Sequence, residues 1–116
     1  MEQLVAKLPG LFFVGLTEAD SGALIRSSTP GNRLSADDIA LCHAEIVQLK
    51  QLALKNVDPT LAPEDLREIL ITMSDQLHIV RLVRQGRLLL SIVLDTSLAS
   101  LPRARMALNA AANTIG

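Results

Sequence analysis

Three apolar runs in the second half of the chain are separated by gaps of only about three residues. The runs cover residues 65–74, 77–84 and 88–95, with Ser74-Asp75-Gln76 between the first two and Gln85-Gly86-Arg87 between the last two. Each run is short and rich in Ile, Leu and Val, which is typical of strands. Because so short a gap cannot hold a crossover helix, neighbouring strands must run antiparallel. The pattern predicts a three-stranded meander.

The first half of the chain predicts two further strands and a long helix. Residues 11–17 and 23–27 are apolar runs on either side of a turn-rich segment, as in a β-hairpin. Ser35 lies where a helix N-cap is expected, with Asp38 three residues later. A helix is therefore expected over residues 36–55, ending before Pro59.

The two ends of the chain predict helical segments. Residues 3–8 are expected to form one short helical turn, and a last helix follows residues 95–97 and ends near residue 115. Ser100 is an alternative start for the last helix, which would place Pro102 in its first turn, where proline is tolerated. The predicted fold is α+β: a five-stranded, mainly antiparallel sheet sandwiched between one long helix and a terminal-helix layer. Residues 1–116 are expected to form one domain.

The long helix carries two apolar stripes when its residues are placed at about 100° intervals. One stripe is expected to pack on the sheet; it consists of Ile39, Cys42, Ile46, Leu49 and Ala53. The other is richer in alanine; it consists of Ala36, Ala40, Ala44, Val47 and Leu54. A helix that packs on one sheet needs only one stripe, so the alanine-rich stripe is interpreted as a contact with a second subunit. In the alternative, residues 28–34 or 56–64 of the same chain cover it.

The strand at residues 66–73 gives a second reason to expect self-association. If this strand lies at the edge of the sheet, its unpaired N–H and C=O groups must be protected or paired. Pairing with the same strand of a second copy across a two-fold axis would satisfy them. The same pairing would bring two long helices side by side.

Residues 68–81, with the sequence EILITMSDQLHIVR, resemble the bacterial roadblock family, to which dynein light chains also belong. The similar pattern is a strand, a small-Asp-Gln turn and a second strand that carries a histidine. The opening hairpin and residues 89–108 are also similar to that family, so the resemblance covers essentially the whole chain. The short first helix departs from many members, and nothing is inferred about partners that dock there.

The resemblance implies a profilin-like, longin-related fold and a homodimer formed through the long helix and the third strand. It also implies a non-enzymatic scaffold that binds or regulates a small Ras-like GTPase. Carried onto this sequence, the dimer interface comprises Ala40, Ala44, Val47, Ile69, Leu70 and Ile71.

No group of residues matches a catalytic, cofactor or metal motif. The imidazoles are His43 and His78, and no Cys/His/Asp set has the spacing of an activated nucleophile. The pair His78 and Asp75 is explained by strand and turn roles rather than by acid–base chemistry. A Gly-rich phosphate-binding loop is absent from the sequence, so any GTPase must be another chain. The protein is expected to be no enzyme and to need no cofactor.

An arginine cluster is the candidate surface for a partner other than a second copy. Arg81, Arg84 and Arg87 lie around the last hairpin, where they could contact an acidic partner or a phosphate. The alternative is a solvated positive face that aids solubility.

Composition excludes several classes of partner. The net charge is −1 and the aromatic residues are two phenylalanines, so nucleic-acid binding is not expected. No run approaches the roughly 20 apolar residues of a membrane span, and the single cysteine, Cys42, favours the cytoplasm. The alternative function is a profilin- or PAS-like small-ligand sensor with a pocket between sheet and helix.

Overall fold

The structure of the protein is a computed structural model that describes residues 7–115, with Asn32 described by its backbone alone. The helical turn predicted at residues 3–8 lies mostly outside the described residues. The described strands and helices, in chain order, are β1 (Leu11–Glu18), β2 (Leu24–Ser28), α1 (Ala36–Val57), β3 (Glu68–Thr72), β4 (Gln76–Val83), β5 (Leu88–Asp95) and α2 (Leu101–Ile115).

The five strands form one sheet in the order β2-β1-β5-β4-β3, and every neighbouring pair is antiparallel. β1, β5 and β4 lie at the centre, and β2 and β3 are the two edges. The predicted α+β sandwich and the predicted meander are therefore confirmed. The third strand is also confirmed as an edge strand.

Local sequence accounts for where the helices begin. The Ser35 side chain accepts a hydrogen bond from the Asp38 amide at 3.4 Å, which caps α1 as predicted. α2 begins directly after Ser100, whose carbonyl accepts the Ala104 amide at 2.9 Å. Pro102 lies in the first turn of α2, where its missing N–H costs nothing.

β3 is shorter than the predicted run at residues 65–74 because a short 3-10 turn, Pro63–Asp65, precedes it. Asp65 accepts a hydrogen bond from the Ala62 amide at 2.8 Å and so fixes that turn. α1 is two residues longer than predicted and ends at Val57, just before Asp58 and Pro59.

Each face of the sheet has its own apolar core. Under α2, residues from β1, β4 and β5 pack with Ala104, Leu108 and Ala111. Under α1, Val80 and Leu89 of the sheet pack with Ala44 and Val47. No helix within residues 7–115 is both long and apolar enough to cross a membrane.

Candidate functional site

The inward face of α1 is the alanine-rich one. Ala40, His43, Ala44 and Val47 are all buried, and Val47 is 0% exposed. Small side chains let the helix backbone approach the sheet closely, so this stripe suits a helix–sheet contact as well as a helix–helix contact. The prediction that Ala40, Ala44 and Val47 form an exposed dimer surface is therefore wrong. They are buried within the single chain, and Ala44 and Val47 pack on its own sheet.

The other stripe, predicted to pack on the sheet, faces away from it. We call it the outer stripe; it consists of Ile39, Cys42, Ile46, Leu49 and Ala53. Cys42, Leu49 and Ala53 are exposed, and Ile39 and Ile46 are half-buried. Leu49 is 67% exposed. Further large apolar side chains on α1 are also exposed, namely Leu41, Leu52, Leu54 and Val57. These side chains together form an exposed apolar surface along one helix.

Two contacts show the direction in which the outer stripe points. His43 lies on the flank toward β4, since its Nε2 is 2.8 Å from Nδ1 of His78. Gln48 lies on the opposite flank, where its side chain donates to the carbonyls of Ala19 and Asp20 at 2.7 and 3.0 Å. By helical periodicity the outer stripe is nearer to the His43 flank than to the Gln48 flank. It therefore faces outward and toward the β3 edge of the sheet.

The β3 edge carries the other predicted interface residues. Ile69 and Ile71 are half-buried, and Leu70 is exposed. β3 pairs with β4 on one side alone, so the outer edge of its backbone is open. Ile69 packs against the apolar core beneath α1, whereas Leu70 alternates to the other face of the sheet.

A buried polar relay, which sequence reasoning missed, lies beneath α1. The Ser91 Oγ is 3.1 Å from Nδ1 of His43, and Nε2 of His43 is 2.8 Å from Nδ1 of His78. Nε2 of His78 is 2.9 Å from Oε1 of Gln76. Burial, with a smaller contribution from the His78 charge, lowers the pKa of His43 to about 4. Burial also lowers the pKa of His78, so both imidazoles are neutral at pH 7.

Ser91 and His43 have the spacing of a nucleophile and its base, but both side chains are 0% exposed. A substrate cannot reach the Ser91 hydroxyl in this arrangement. Within residues 7–115, no group of three or more His, Cys, Asp or Glu side chains is placed to hold a metal ion.

Arg81 is drawn away from the other two arginines of the predicted cluster. Its guanidinium lies 2.7 Å from one Glu68 carboxylate oxygen and donates to Asn109 of α2, while Arg105 lies 2.8 Å from the other Glu68 oxygen. Burial alone would raise the pKa of Glu68, but the hydrogen bonds and charges of the two arginines lower it. Arg81 therefore ties β3 and β4 to α2.

Arg84 and Arg87 remain together at the β4–β5 turn and are exposed. The Arg84 side chain donates to the Ile115 carbonyl at 2.9 Å, and Arg87 donates to the Arg84 carbonyl at 3.2 Å. They border a shallow depression together with Glu18 and Asp20. The charge there is mixed, so the surface is not uniformly basic.

A groove of about 280 Å³ lies between the C-terminal part of α1 and residues 61–66. Its walls are mainly apolar and include Leu52, Leu54 and Leu66. Gln51 in its wall already donates to the Pro63 carbonyl at 3.1 Å. The groove opens beside the exposed apolar side chains of α1.

No protein-family model matches the sequence, and no curated protein matches it. Solved structures do match. MglB of Myxococcus xanthus superposes with a TM-score of 0.78 at 17% identity, over 97% of this chain and 85% of that one. A Roadblock/LC7 domain from Streptomyces avermitilis gives a TM-score of 0.72 at 16% identity, over 99% and 93%.

The gliding protein MglB of Thermus thermophilus gives a TM-score of 0.74 at 16% identity, over 96% of this chain and 78% of that one. At these identities the likeness establishes the fold. The order of strands and helices agrees with it. The chain has the roadblock/LC7 fold.

Proposed function

We propose that the chain is a non-enzymatic, cytoplasmic scaffold that forms a homodimer and binds or regulates a small Ras-like GTPase. The observation that carries the proposal is that α1 exposes apolar side chains along its outer stripe, on the side of the helix that faces the open edge of β3. An exposed apolar helix face and an unpaired strand edge are each costly in water. A second copy can cover both at once.

The proposed dimer is built on a two-fold axis beside β3. Antiparallel pairing of the two β3 strands would join the sheets and satisfy the edge N–H and C=O groups. The two α1 helices would then lie next to each other, with the outer stripes in contact. Burying about 600 Å² of apolar surface at roughly 25 cal/mol per Å² contributes about 15 kcal/mol before association costs. In this proposal Ile69, Leu70 and Ile71 keep their predicted role, and the outer stripe replaces Ala40, Ala44 and Val47.

The Leu49→Asp variant is expected to be folded and monomeric. Because Leu49 is 67% exposed, a carboxylate there is solvated in the single chain but buried and repelled by its counterpart in the dimer. Light scattering after size-exclusion chromatography should show twice 12.5 kDa for the wild type and 12.5 kDa for the variant. Self-association is expected to weaken by about a hundredfold or more, as for a hot-spot residue.

The matched control is Met106→Asp. Met106 is 70% exposed and lies on α2, across the sheet from the outer stripe. This variant should keep the wild-type mass. A second readout is the rate at which a maleimide modifies Cys42, which is exposed in the single chain and should react slowly in the dimer. Equal masses for the two variants, or a wild type that is monomeric at every concentration, would contradict the proposed dimer.

The GTPase part of the proposal rests on the resemblance of residues 68–81 and on the fold. Arg84 and Arg87 are the exposed members of the predicted arginine surface, whereas Arg81 is held by Glu68. We assign the contact with an acidic or phosphate-bearing partner to Arg84 and Arg87.

The double variant Arg84→Glu/Arg87→Glu is expected to bind the GTPase about tenfold more weakly, because a charge reversal at an interface rim slows association. The wild-type protein is first immobilised and incubated with native lysate in the presence of GDP or a GTP analogue. Mass spectrometry then identifies any GTPase that is retained. Affinity is then measured with the purified pair. Arg103→Glu, a charge reversal on α2, is the control and should bind normally. Recovery of no GTPase in either nucleotide state would argue against this part of the proposal.

A second candidate function is small-ligand binding, favoured by the groove beside Leu52, Leu54 and Leu66. Its volume, about 280 Å³, is just below the usual range for ligand sites, and of its polar side chains Gln51 and Asp65 already bond to the backbone. In a thermal-shift screen, a metabolite present at about 100 times its dissociation constant would stabilise the chain by about 2.7 kcal/mol. A shift of several degrees that is lost in a Leu66→Glu variant would favour this function over the scaffold.

A further inference from the structure

The Ser91–His43–His78–Gln76 relay connects three elements of the fold. His43 belongs to α1, His78 and Gln76 belong to β4, and Ser91 belongs to the central strand β5. The relay is thus a side-chain hydrogen-bonded link between α1 and the part of the sheet next to the β3 edge. Its two imidazole rings meet edge to face, with centroids 5.1 Å apart.

Among the described residues, Asp95 lies opposite Gln76 in the sheet register, but its carboxylate accepts hydrogen bonds from Ser97 and does not shift the pKa of either imidazole. On the β1 side, the Phe13 ring meets the His43 ring edge to face, with centroids 6.2 Å apart. Ile71 of β3 and Val93 of β5 lie directly opposite His78 in the sheet register. Among residues 7–115, the charge that acts on His43 is that of His78. A proton that enters the relay is therefore opposed by burial and by the other imidazole, and no carboxylate stabilises it.

Hydrogen-bond counting limits the number of protons that the relay can hold. When both imidazoles are neutral, Ser91 donates to His43, His43 donates to His78 and His78 donates to Gln76, so each polar atom has a partner. One added proton still leaves a donor facing an acceptor at each contact, since Ser91 Oγ can accept instead of donate. A second proton would place two N–H groups against each other across the 2.8 Å contact, with a positive charge on each ring. The closed relay therefore holds at most one proton, whereas the unfolded chain takes up two.

We propose that this relay is a proton-operated latch, which holds α1 against the sheet while the imidazoles are neutral and releases α1 in mild acid. The link is closed when His43 and His78 hydrogen-bond to each other and opens when both are protonated. Release exposes His43 to water, where each imidazolium is solvated.

The direction in which pH changes the stability follows from the pKa shifts of the two imidazoles. The pKa of His43 is about 4 in the fold and 6.5 for the free side chain, and the pKa of His78 is also lowered. Between those two values the open chain binds more protons than the closed one, so stability rises with pH. The latch contribution is complete above about pH 6.5 and is lost as the pH falls toward 4.

Release of α1 also alters the proposed dimer surface, and this step rests on the proposed function. In the proposed dimer, the outer stripe and the β3 edge can be covered together only while α1 is seated over the sheet. His78 itself lies beside β3, opposite Ile71. Acid should therefore weaken self-association as well as open the single chain.

The first test uses the wild type, in which the imidazole signals come from two histidines. Nuclear magnetic resonance signals of the ring nitrogens are followed as the pH is changed, which gives the pKa of each imidazole. Comparison with a His78→Gln variant assigns the signals. The latch predicts that both rings titrate below the ordinary 6.5 and that at least one, His43, titrates more than a pH unit below it. Two independent titrations near 6.5 in the folded protein would overturn the proposal.

The second test is urea unfolding at pH 7 and pH 5. The unfolding constant of His78→Gln is expected to rise by about twenty-fivefold from His43 alone, and that of the wild type by more, because the pKa of His78 is also lowered. Carboxylates contribute equally to both proteins, so the comparison isolates the relay. Equal pH dependence in the two proteins would contradict the latch. Because His78 is only half-buried, the His78→Gln variant should fold. If it does not, the resonance titration of the wild type still tests the latch.

The third test is sedimentation of wild type and His78→Gln between pH 7.5 and pH 4.5. Dimer dissociation should increase more in the wild type than in the variant as the pH falls toward the pKa of His43, about 4. A wild type that is monomeric at every pH would contradict the proposed homodimer while leaving the resonance titration to judge the latch. A dimer with unchanged affinity across this interval would remove the link to assembly.

Discussion

Replacement of Val47 by aspartate is expected to unfold the protein at 25 °C. Val47 is 0% exposed and packs with Ala44 of its own helix and with Val80 and Leu89 of the sheet. A carboxylate at this position has neither water nor a cationic partner, and burying such a charge costs several kcal/mol. A domain of this size has about 5–15 kcal/mol of stability in total. The loss should therefore be comparable to the whole stability of the domain, read as the disappearance of the helical circular-dichroism signal and of the cooperative urea transition.

The matched substitution lies two positions further along the same helix. Leu49→Asp introduces the same charge on the outer stripe. It should leave the free energy of unfolding of the monomer within about 0.5 kcal/mol of the wild-type value. Val47→Ala keeps the site apolar and should cost about 1–3 kcal/mol through the cavity it leaves. A soluble, folded, monomeric Val47→Asp protein would mean that Val47 faces outward and that the assignment of the two helix faces is inverted.

Most of the fold could be predicted because several local signals agree. The three apolar runs with short gaps admit an antiparallel meander and little else. The Ser35 cap and the position of Pro102 mark where the helices begin. The boundaries of β3 were less accurate, because the turn at Pro63–Asp65 takes residues that were expected to extend the strand.

The face of α1 that packs on the sheet could not be predicted from periodicity. Both stripes are apolar and follow the same three-four spacing, so the amphipathic pattern does not distinguish them. Side-chain size carried the information instead: alanines lie where the helix approaches the sheet, and Leu49 lies where nothing in the described chain covers it. His43 follows Ala40 by three residues and precedes Val47 by four, so it belongs to the same face as they do. Its burial follows once that face is known.

The relay and the dispersal of the arginines depend on tertiary register. His43 and His78 meet because α1 packs on the face of the sheet to which the His78 side chain points, and no local pattern reports a contact between residues so distant in sequence. Arg81 leaves the predicted cluster because its strand position places it beside Glu68, its direct partner across β3 and β4. Arg84 and Arg87 lie in the turn, where the strand register no longer constrains them.

The Gly15→Ala variant is expected to lose about 3 kcal/mol of stability through overpacking. A Cβ at Gly15 would lie 2.3 Å from Cζ of Phe13 and 3.0 Å from its Cε2. Phe13 is 0% exposed and its ring already meets the His43 ring, so it has no free space into which to move. Urea unfolding of the purified variant measures the loss, with the m-value as a check that the transition remains two-state.

The double variant Gly15→Ala/Phe13→Leu tests whether that contact is the cause. Leucine lacks the distal ring atoms that the new methyl group would meet, so the second substitution should relieve the strain that the first creates. Phe13→Leu alone should cost about 1–2 kcal/mol, in line with the smaller losses seen for conservative core truncations. The stability lost in the double variant should be about 2 kcal/mol smaller than the sum of the two single losses. A coupling of this size is typical of residues in direct contact. Strictly additive losses would mean that the Phe13 ring does not lie against position 15. The edge-to-face contact between Phe13 and His43 would then also be in question.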